Sequence, residues 1–138
     1  MAGIRQHVLV GYIPSPEGVA ALDYAVAYAE QNGAKLTVVN TGKDGDYAHP
    51  QYATAEDIDT IDDLLATKSV AHTIVRPTDG KPAAAALLDE AERAGADVIV
   101  IGVRRRSPVG KLLAGSTAQA VILGADCPVI AVKPEPVG

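Results

Sequence analysis

Residues Val98–Thr117 read VIVIGVRRRSPVGKLLAGST, and this stretch carries the pattern that decides the fold. It begins with an apolar, β-branched run that is typical of a strand buried on both faces of a parallel sheet. It ends with a small-residue segment, Gly115-Ser116-Thr117, that opens a helix, and the N–H groups and dipole of a helix start favour an anion. The loop between them holds four cationic residues: Arg104, Arg105, Arg106 and Lys111. A strand, a basic loop and a helix start in this order predict a place to hold phosphate.

The same alternation of strand and helix patterns runs through the rest of the chain and predicts a parallel sheet with crossover helices. The five predicted strands are His7–Tyr12, Lys35–Asn40, Val70–Arg76, Asp97–Gly102 and Pro128–Lys133. The four predicted helices are Glu17–Asn32, a helix capped at Thr54 that runs to Lys68, Ala83–Ala94 and Gly115–Gly124. We therefore predict a three-layer, doubly wound α/β fold of Rossmann-like type with strand order 3-2-1-4-5. The chain of 138 residues is long enough for one domain, residues 1–138, and too short for two.

Two of these helices have apolar residues at helical spacing, which predicts the faces that they bury. In the first helix the predicted inner residues are Val19, Leu22, Val26 and Ala29. In the second they are Ile58, Ile61, Leu64 and Leu65. His72 interrupts the third strand, and we interpret it as an exposed or hydrogen-bonded strand residue rather than as a catalytic one.

Composition narrows the classes of function. The formal net charge is −5, from 12 basic and 17 acidic residues, and such a balance argues against nucleic-acid binding. The positive charge of the basic loop is local, so a small anionic ligand fits the sequence. A single cysteine and three scattered histidines predict no metal site. The first residues, MAGIRQHVLVGY, lack a secretory pattern, and no apolar run approaches the roughly 18 residues of a membrane span, so we expect a cytoplasmic protein that does not enter the membrane.

The predicted sheet indicates where a ligand binds. In an open α/β sheet, ligands bind beyond the carboxyl ends of the strands, at the point where the strand order reverses. The loops after the first, second and fourth strands converge there if the first and fourth strands are neighbours. The candidate binding residues are therefore Tyr12, Ile13, Pro14, Val39, Asn40, Gly102, Arg104, Arg105, Lys111, Gly115, Ser116 and Thr117.

Catalytic and nucleotide motifs of other classes are missing from the sequence. The turn after the first strand lacks G-x-G-x-x-G, and Gly110-Lys111 is followed by Leu112 where a P-loop needs Ser or Thr. There is no G-x-S-x-G nucleophile motif. The sequence offers no catalytic residues, so an enzyme, at most a weak ATPase, is the least supported class of function.

The chain resembles the single-domain universal stress proteins of the UspA family over essentially its whole length. Members that bind ATP carry G-x2-G-x9-G-[S/T] after the fourth strand, and the flanking VIVIG and CPVIAVK segments are also similar to that family. The four motif positions are occupied here by Gly102, Arg105, Gly115 and Ser116. The resemblance implies a regulatory stress-response protein that binds ATP or a related adenine nucleotide.

Two positions depart from the pattern of the ATP-binding members. Arg105 replaces the middle glycine, where a side chain either blocks the phosphate or supplies a cation to it. Ile13 stands where those members carry an aspartate in the first loop. Two hypotheses therefore stay open: a nucleotide-binding regulatory protein, and a dimeric scaffold or interaction protein that binds no nucleotide but has an anion-binding loop.

The resemblance also implies a homodimer formed through the last strand, Pro128–Lys133. This strand is apolar, and an apolar strand at the edge of a sheet needs to be covered. Pairing of two identical edges about a twofold axis would cover both.

Overall fold

The computed structural model describes residues 6–41, 55–77, 80–105, 112–113 and 116–134, with side chains at all of these except 55–56, 104–105, 112–113 and 116. Over these residues the chain forms strands β1 (His7–Tyr12), β2 (Lys35–Asn40), β3 (His72–Val75), β4 (Val98–Gly102), β5 (Arg104–Arg105), β6 (Leu112–Leu113) and β7 (Val129–Val132). The helices are α1 (Pro16–Asn32), α2 (Ala55–Thr67), α3 (Ala83–Ala94) and α4 (Ser116–Gly124). Thr54, the predicted cap of α2, lies outside the described residues.

Five parallel strands form the main sheet in the order β3-β2-β1-β4-β7. Because β7 is the fifth of the predicted strands, the predicted order 3-2-1-4-5 is confirmed. The register places Leu9 of β1 beside Thr37 of β2 on one side and beside Ile99 of β4 on the other. The order reverses between β1 and β4, because the chain builds outward from β1 in one direction and then returns to its other side.

Helices cover both faces of the sheet. On one face, α1 and α2 pack against side chains such as Val8 and Val10. On the other face, α3 and α4 pack against Leu9 and Ile99. These four strand side chains are fully buried, which explains why the inner strands are apolar without alternation. The three-layer α/β fold is thus confirmed.

The buried face of α1 is rotated away from the predicted one, towards Gly18, Ala21 and Ala25, and the buried face of α2 is narrower than predicted. Leu22, Val26 and Ala29 of α1 are buried, but Val19 is 45% exposed because it lies about 100° around the helix from the buried Gly18. In α2, Ile61 and Leu65 are buried, whereas Leu64 is 39% exposed. Leu64 precedes the buried Leu65 and therefore lies about 100° around the helix from it. The predictions that Val19 and Leu64 are inner residues were wrong.

The third strand begins later than predicted, and the segment after the fourth strand differs from the predicted loop. β3 begins at His72 rather than at Val70, because the Val70 N–H donates to the carbonyl of Leu65 and closes the end of α2 instead of joining the sheet. The basic segment after β4, predicted to be a loop, contains the short antiparallel pair β5–β6.

Among the described helices, none combines the length and the apolar character needed to cross a membrane.

Candidate functional site

The carboxyl ends of β1, β2 and β4 lie side by side. Tyr12 at the end of β1 is in register with Asn40 at the end of β2. On the other side, Val10 is in register with Val100, so Gly102 is level with Tyr12. The structure therefore brings the predicted residues of three strand ends to one edge, at the reversal of strand order where α/β proteins bind ligands.

A compact turn joins β1 to α1 at this edge. The Ser15 N–H donates to the carbonyl of Ile13 at 2.8 Å, and the Ser15 hydroxyl accepts from the N–H of Gly18 at 3.0 Å. The helix starts at Pro16, one residue before the prediction. The sequence carries the signal for this start, since serine is a preferred N-cap and proline suits the first helical position.

Gly18 has no room for a side chain. An added Cβ would lie 1.9 Å from the Ile13 carbonyl oxygen, well inside any real contact distance. Gly18 is thus required by the turn that follows β1, a role that the sequence analysis missed. The sequence does show a glycine three residues after the N-cap Ser15. It does not show that this glycine packs against the carbonyl of Ile13.

Gly102 is in the same situation on the neighbouring strand. Its missing Cβ would lie 2.3 Å from the carbonyl oxygen of Glu17 and 2.6 Å from the carbonyl carbon. The first turn of α1 therefore sits directly against the end of β4, and only glycine permits that approach. The first glycine of the motif thus has a packing role in the fold, whatever it contributes to a ligand.

Asn40 and Val39, at the end of β2, are both fully buried. Asn40 is fully buried, and its side-chain amide donates to the carbonyl of Tyr12 at 3.0 Å, which ties the ends of β1 and β2 together. The side chain of Val39 is fully buried in the core beneath α3 and α4. Val39 can therefore present only its backbone to a ligand at this edge.

Two carboxylates act on the phenol of Tyr12 at this edge. Burial raises the pKa of the Tyr12 phenol above its ordinary value, and the charges of Asp57 in α2 and Asp23 in α1 raise it further. Tyr12 is therefore a neutral phenol at physiological pH, in a negative field. Ile13 and Pro14, which follow it, are half-buried.

The segment after β4 follows the strand next to β1 and carries the basic residues of the predicted site. Arg104 pairs with Leu113 and Arg105 pairs with Leu112 in the β5–β6 ladder. Position 105 thus has a strand backbone that non-glycine residues adopt readily. Ser116 and the half-buried Thr117 begin α4. Arg106, Lys111 and Gly115 lie outside the described residues.

Together the fold and this edge define a Rossmann-like α/β protein with a candidate ligand site at the reversal of strand order. The sequence profile of the Universal stress protein family matches residues 5–133. The chain belongs to the universal stress protein family. A universal stress protein of Mycolicibacterium smegmatis is 35% identical over 127 residues, which cover 92% of this chain and 97% of that protein.

Solved structures of the family share the fold. A universal stress protein from Archaeoglobus fulgidus superposes with a TM-score of 0.74 at 28% identity, covering 94% of this chain and 98% of that one. A structure from the same organism in complex with dAMP has a TM-score of 0.64 at 24% identity, with the same coverage. Universal stress proteins in complex with cAMP and, from Arabidopsis thaliana, with AMP bound each have a TM-score of 0.64, at 20% and 14% identity.

Proposed function

We propose that this protein binds an adenine nucleotide, with ATP the leading candidate, at the carboxyl ends of β1, β2 and β4, and that it acts as a cytoplasmic regulator in a stress response. The observation that carries the proposal is the adjacency of these three strands, which brings the strand ends selected from the sequence to one edge at the reversal of strand order. Complexes of family proteins with dAMP, cAMP and AMP on the same fold support it.

The charge distribution supports one orientation of the nucleotide. Asp23 and Asp57 act on Tyr12, so a phosphate is disfavoured beside the Tyr12 phenol. Arg104, Arg105 and the start of α4 follow β4, where cations and helix N–H groups favour a phosphate. The nucleoside would therefore lie towards Tyr12 and the phosphates towards β5. The proposed role is binding and not catalysis, because the sequence contains no catalytic motif.

Arg105 provides the test of the phosphate end. Replacing Arg105 with glutamine is expected to weaken nucleotide binding about tenfold or more, because a hydrogen bond to a charged group contributes about 1.5–3 kcal/mol. Titration calorimetry with ATP, AMP and cAMP measures the effect. The matched control is Arg93→Gln, which removes an arginine whose side chain is 73% exposed on α3 and pairs with Glu90. This control is expected to leave the affinity unchanged.

A second substitution separates the two possible roles of Arg105. Arg105→Gly restores the glycine of the family motif, and it is expected to weaken binding if the arginine is a ligand. Stronger binding by this variant would instead identify the arginine as an obstruction within a real nucleotide site. If none of the three nucleotides gives either heat or a thermal shift, the proposal is overturned. That result would favour the scaffold function, which the loss of the family aspartate at Ile13 supports.

We further propose that two copies of the chain pair through the outer edge of β7. Pro128 and Val132 accept hydrogen bonds from Ile99 and Val103 on the β4 side. Because backbone groups of a strand alternate between its two neighbours, those of Val129 and Ala131 point to the other side. A second β7 strand would satisfy these groups and cover the edge.

Substitutions at Ala131 test whether this dimer forms. Sedimentation at micromolar concentration is expected to give twice the chain mass of 14.2 kDa for the wild-type protein. Ala131→Pro removes the outward N–H and is expected to give monomers, whereas Ala131→Val keeps that N–H and is expected to remain dimeric. A wild-type protein that sediments only as a monomer would contradict the proposed pairing.

A further inference from the structure

His72, at the first position of β3, has a hydrogen-bond acceptor at each ring nitrogen. Nε2 lies 2.6 Å from a carboxylate oxygen of Asp62 in α2. Nδ1 lies 2.8 Å from the carbonyl oxygen of Val70. A neutral imidazole carries a single N–H and can donate to only one of them, whereas the protonated ring donates to both. Both contacts are therefore hydrogen bonds at the same time only when His72 is charged.

We propose that His72 is a proton-operated latch between α2 and the sheet: the protonated ring makes both hydrogen bonds, and the neutral ring keeps only one of them. The ring joins the middle of α2, through Asp62, to Val70, the residue whose N–H closes the end of the same helix on Leu65. Loss of the proton turns a lone pair towards one of the two acceptors, so one of the two links is lost.

The surroundings of the ring leave Asp62 as its charged partner. On the β2 side, the residue in register with His72 is the uncharged Leu36. Lys68 follows α2, and its Nζ lies 3.9 Å from Oε1 of Glu30 in α1, with which it forms an ion pair. Among the described residues, the carboxylate whose charge acts on the ring is that of Asp62.

These contacts set the direction of the pH dependence. The hydrogen bond to the Val70 carbonyl raises the pKa of His72 above the ordinary 6.5, burial opposes this, and Asp62 raises the pKa further by its hydrogen bond and its charge. A pKa that is higher in the folded state means that protonation stabilises folding. The contribution of the latch is therefore fully present below the unfolded pKa of 6.5 and is lost as the pH rises through the raised folded value.

The test combines an NMR titration of the His72 ring with hydrogen exchange of α2. The wild-type titration midpoint is expected above 6.5 and is expected to fall in Asp62→Asn. After correction for intrinsic exchange rates, α2 amides of the wild-type protein are expected to exchange about fivefold faster at about pH 8.5 than at about pH 5.5, as for the loss of one net hydrogen bond. His72→Gln is expected to remove this pH dependence.

Asp59→Asn is the matched control, because it removes an exposed acid from the same helix. It is expected to leave both the titration midpoint and the exchange pattern as in the wild-type protein. A wild-type midpoint at or below 6.5, or equal corrected exchange at both pH values, would overturn the latch. If His72→Gln does not fold, the wild-type and Asp62→Asn measurements still decide the question, and none of them depends on nucleotide binding.

Discussion

Replacing Gly18 with alanine is expected to lower the free energy of unfolding by about 3 kcal/mol, although alanine is the better helix former. The new Cβ would lie 1.9 Å from the Ile13 carbonyl oxygen and 2.9 Å from the Ile13 carbonyl carbon and nitrogen. These are backbone atoms, and the same carbonyl accepts the hydrogen bond from Ser15 that shapes the turn. Relief of the clash therefore requires the whole connection between β1 and α1 to move.

Thermal unfolding measures this effect, and a fall in Tm of about 10 °C is expected for a domain of this size. Gly124→Ala is the matched control, since Gly124 is also a helical glycine. Its added Cβ would lie 2.8 Å from one methyl carbon of Leu88 and within 4 Å of two further atoms of that side chain. These are side-chain atoms that can move, so a small change is expected. A Tm that is unchanged or higher in Gly18→Ala would show that the turn after β1 yields easily.

Replacing Gly102 with alanine is expected to destabilise the protein by about 2–3 kcal/mol, for a related reason on the next strand. Its Cβ would lie 2.3 Å from the Glu17 carbonyl oxygen, and Glu17 is buried in the first turn of α1. The end of β4 and the start of α1 would have to separate. This junction borders the proposed nucleotide site, so the variant is also expected to bind nucleotide more weakly.

Urea denaturation measures the change in stability as a shift of the unfolding midpoint. Gly11→Ala, in the neighbouring strand β1, is the matched control because its Cβ would meet two methyl carbons of Leu87 at 3.1 Å, and these can shift. A similar loss of stability in both variants would mean that the loss reflects strand glycines in general and not the contact between Gly102 and Glu17.

Most of the secondary structure could be predicted because it depends on residues close together in the chain. The strands His7–Tyr12 and Lys35–Asn40 and the helix Ala83–Ala94 have the predicted bounds. Val19 and Leu64 were predicted wrongly because periodicity gives the direction and the width of an apolar face only approximately. In α1 the buried face also includes small residues such as Gly18, Ala21 and Ala25, which a search for large apolar residues passes over.

The candidate site was predictable only in part. The strand ends that carry Tyr12, Asn40 and Gly102 were expected to meet, and the sheet order confirms their adjacency. The amide bond from Asn40 to the Tyr12 carbonyl, and the two acceptors at the His72 ring, were not predicted. Each of these hydrogen bonds depends on how neighbouring segments are aligned with each other. A single sequence does not show that alignment directly.

The α/β class, the strand order and the family were all predicted from the sequence, which also predicts a phosphate site in the stretch from Val98 to Thr117. Tertiary packing explains why Gly18 and Gly102 are glycines, since each faces a backbone carbonyl of another segment of the site region. It also decided that the Val39 side chain belongs to the core. The physical reason is that hydrophobic periodicity and turn chemistry record neighbours along the chain, whereas close packing is settled by which atoms the folded sheet and helices bring within contact.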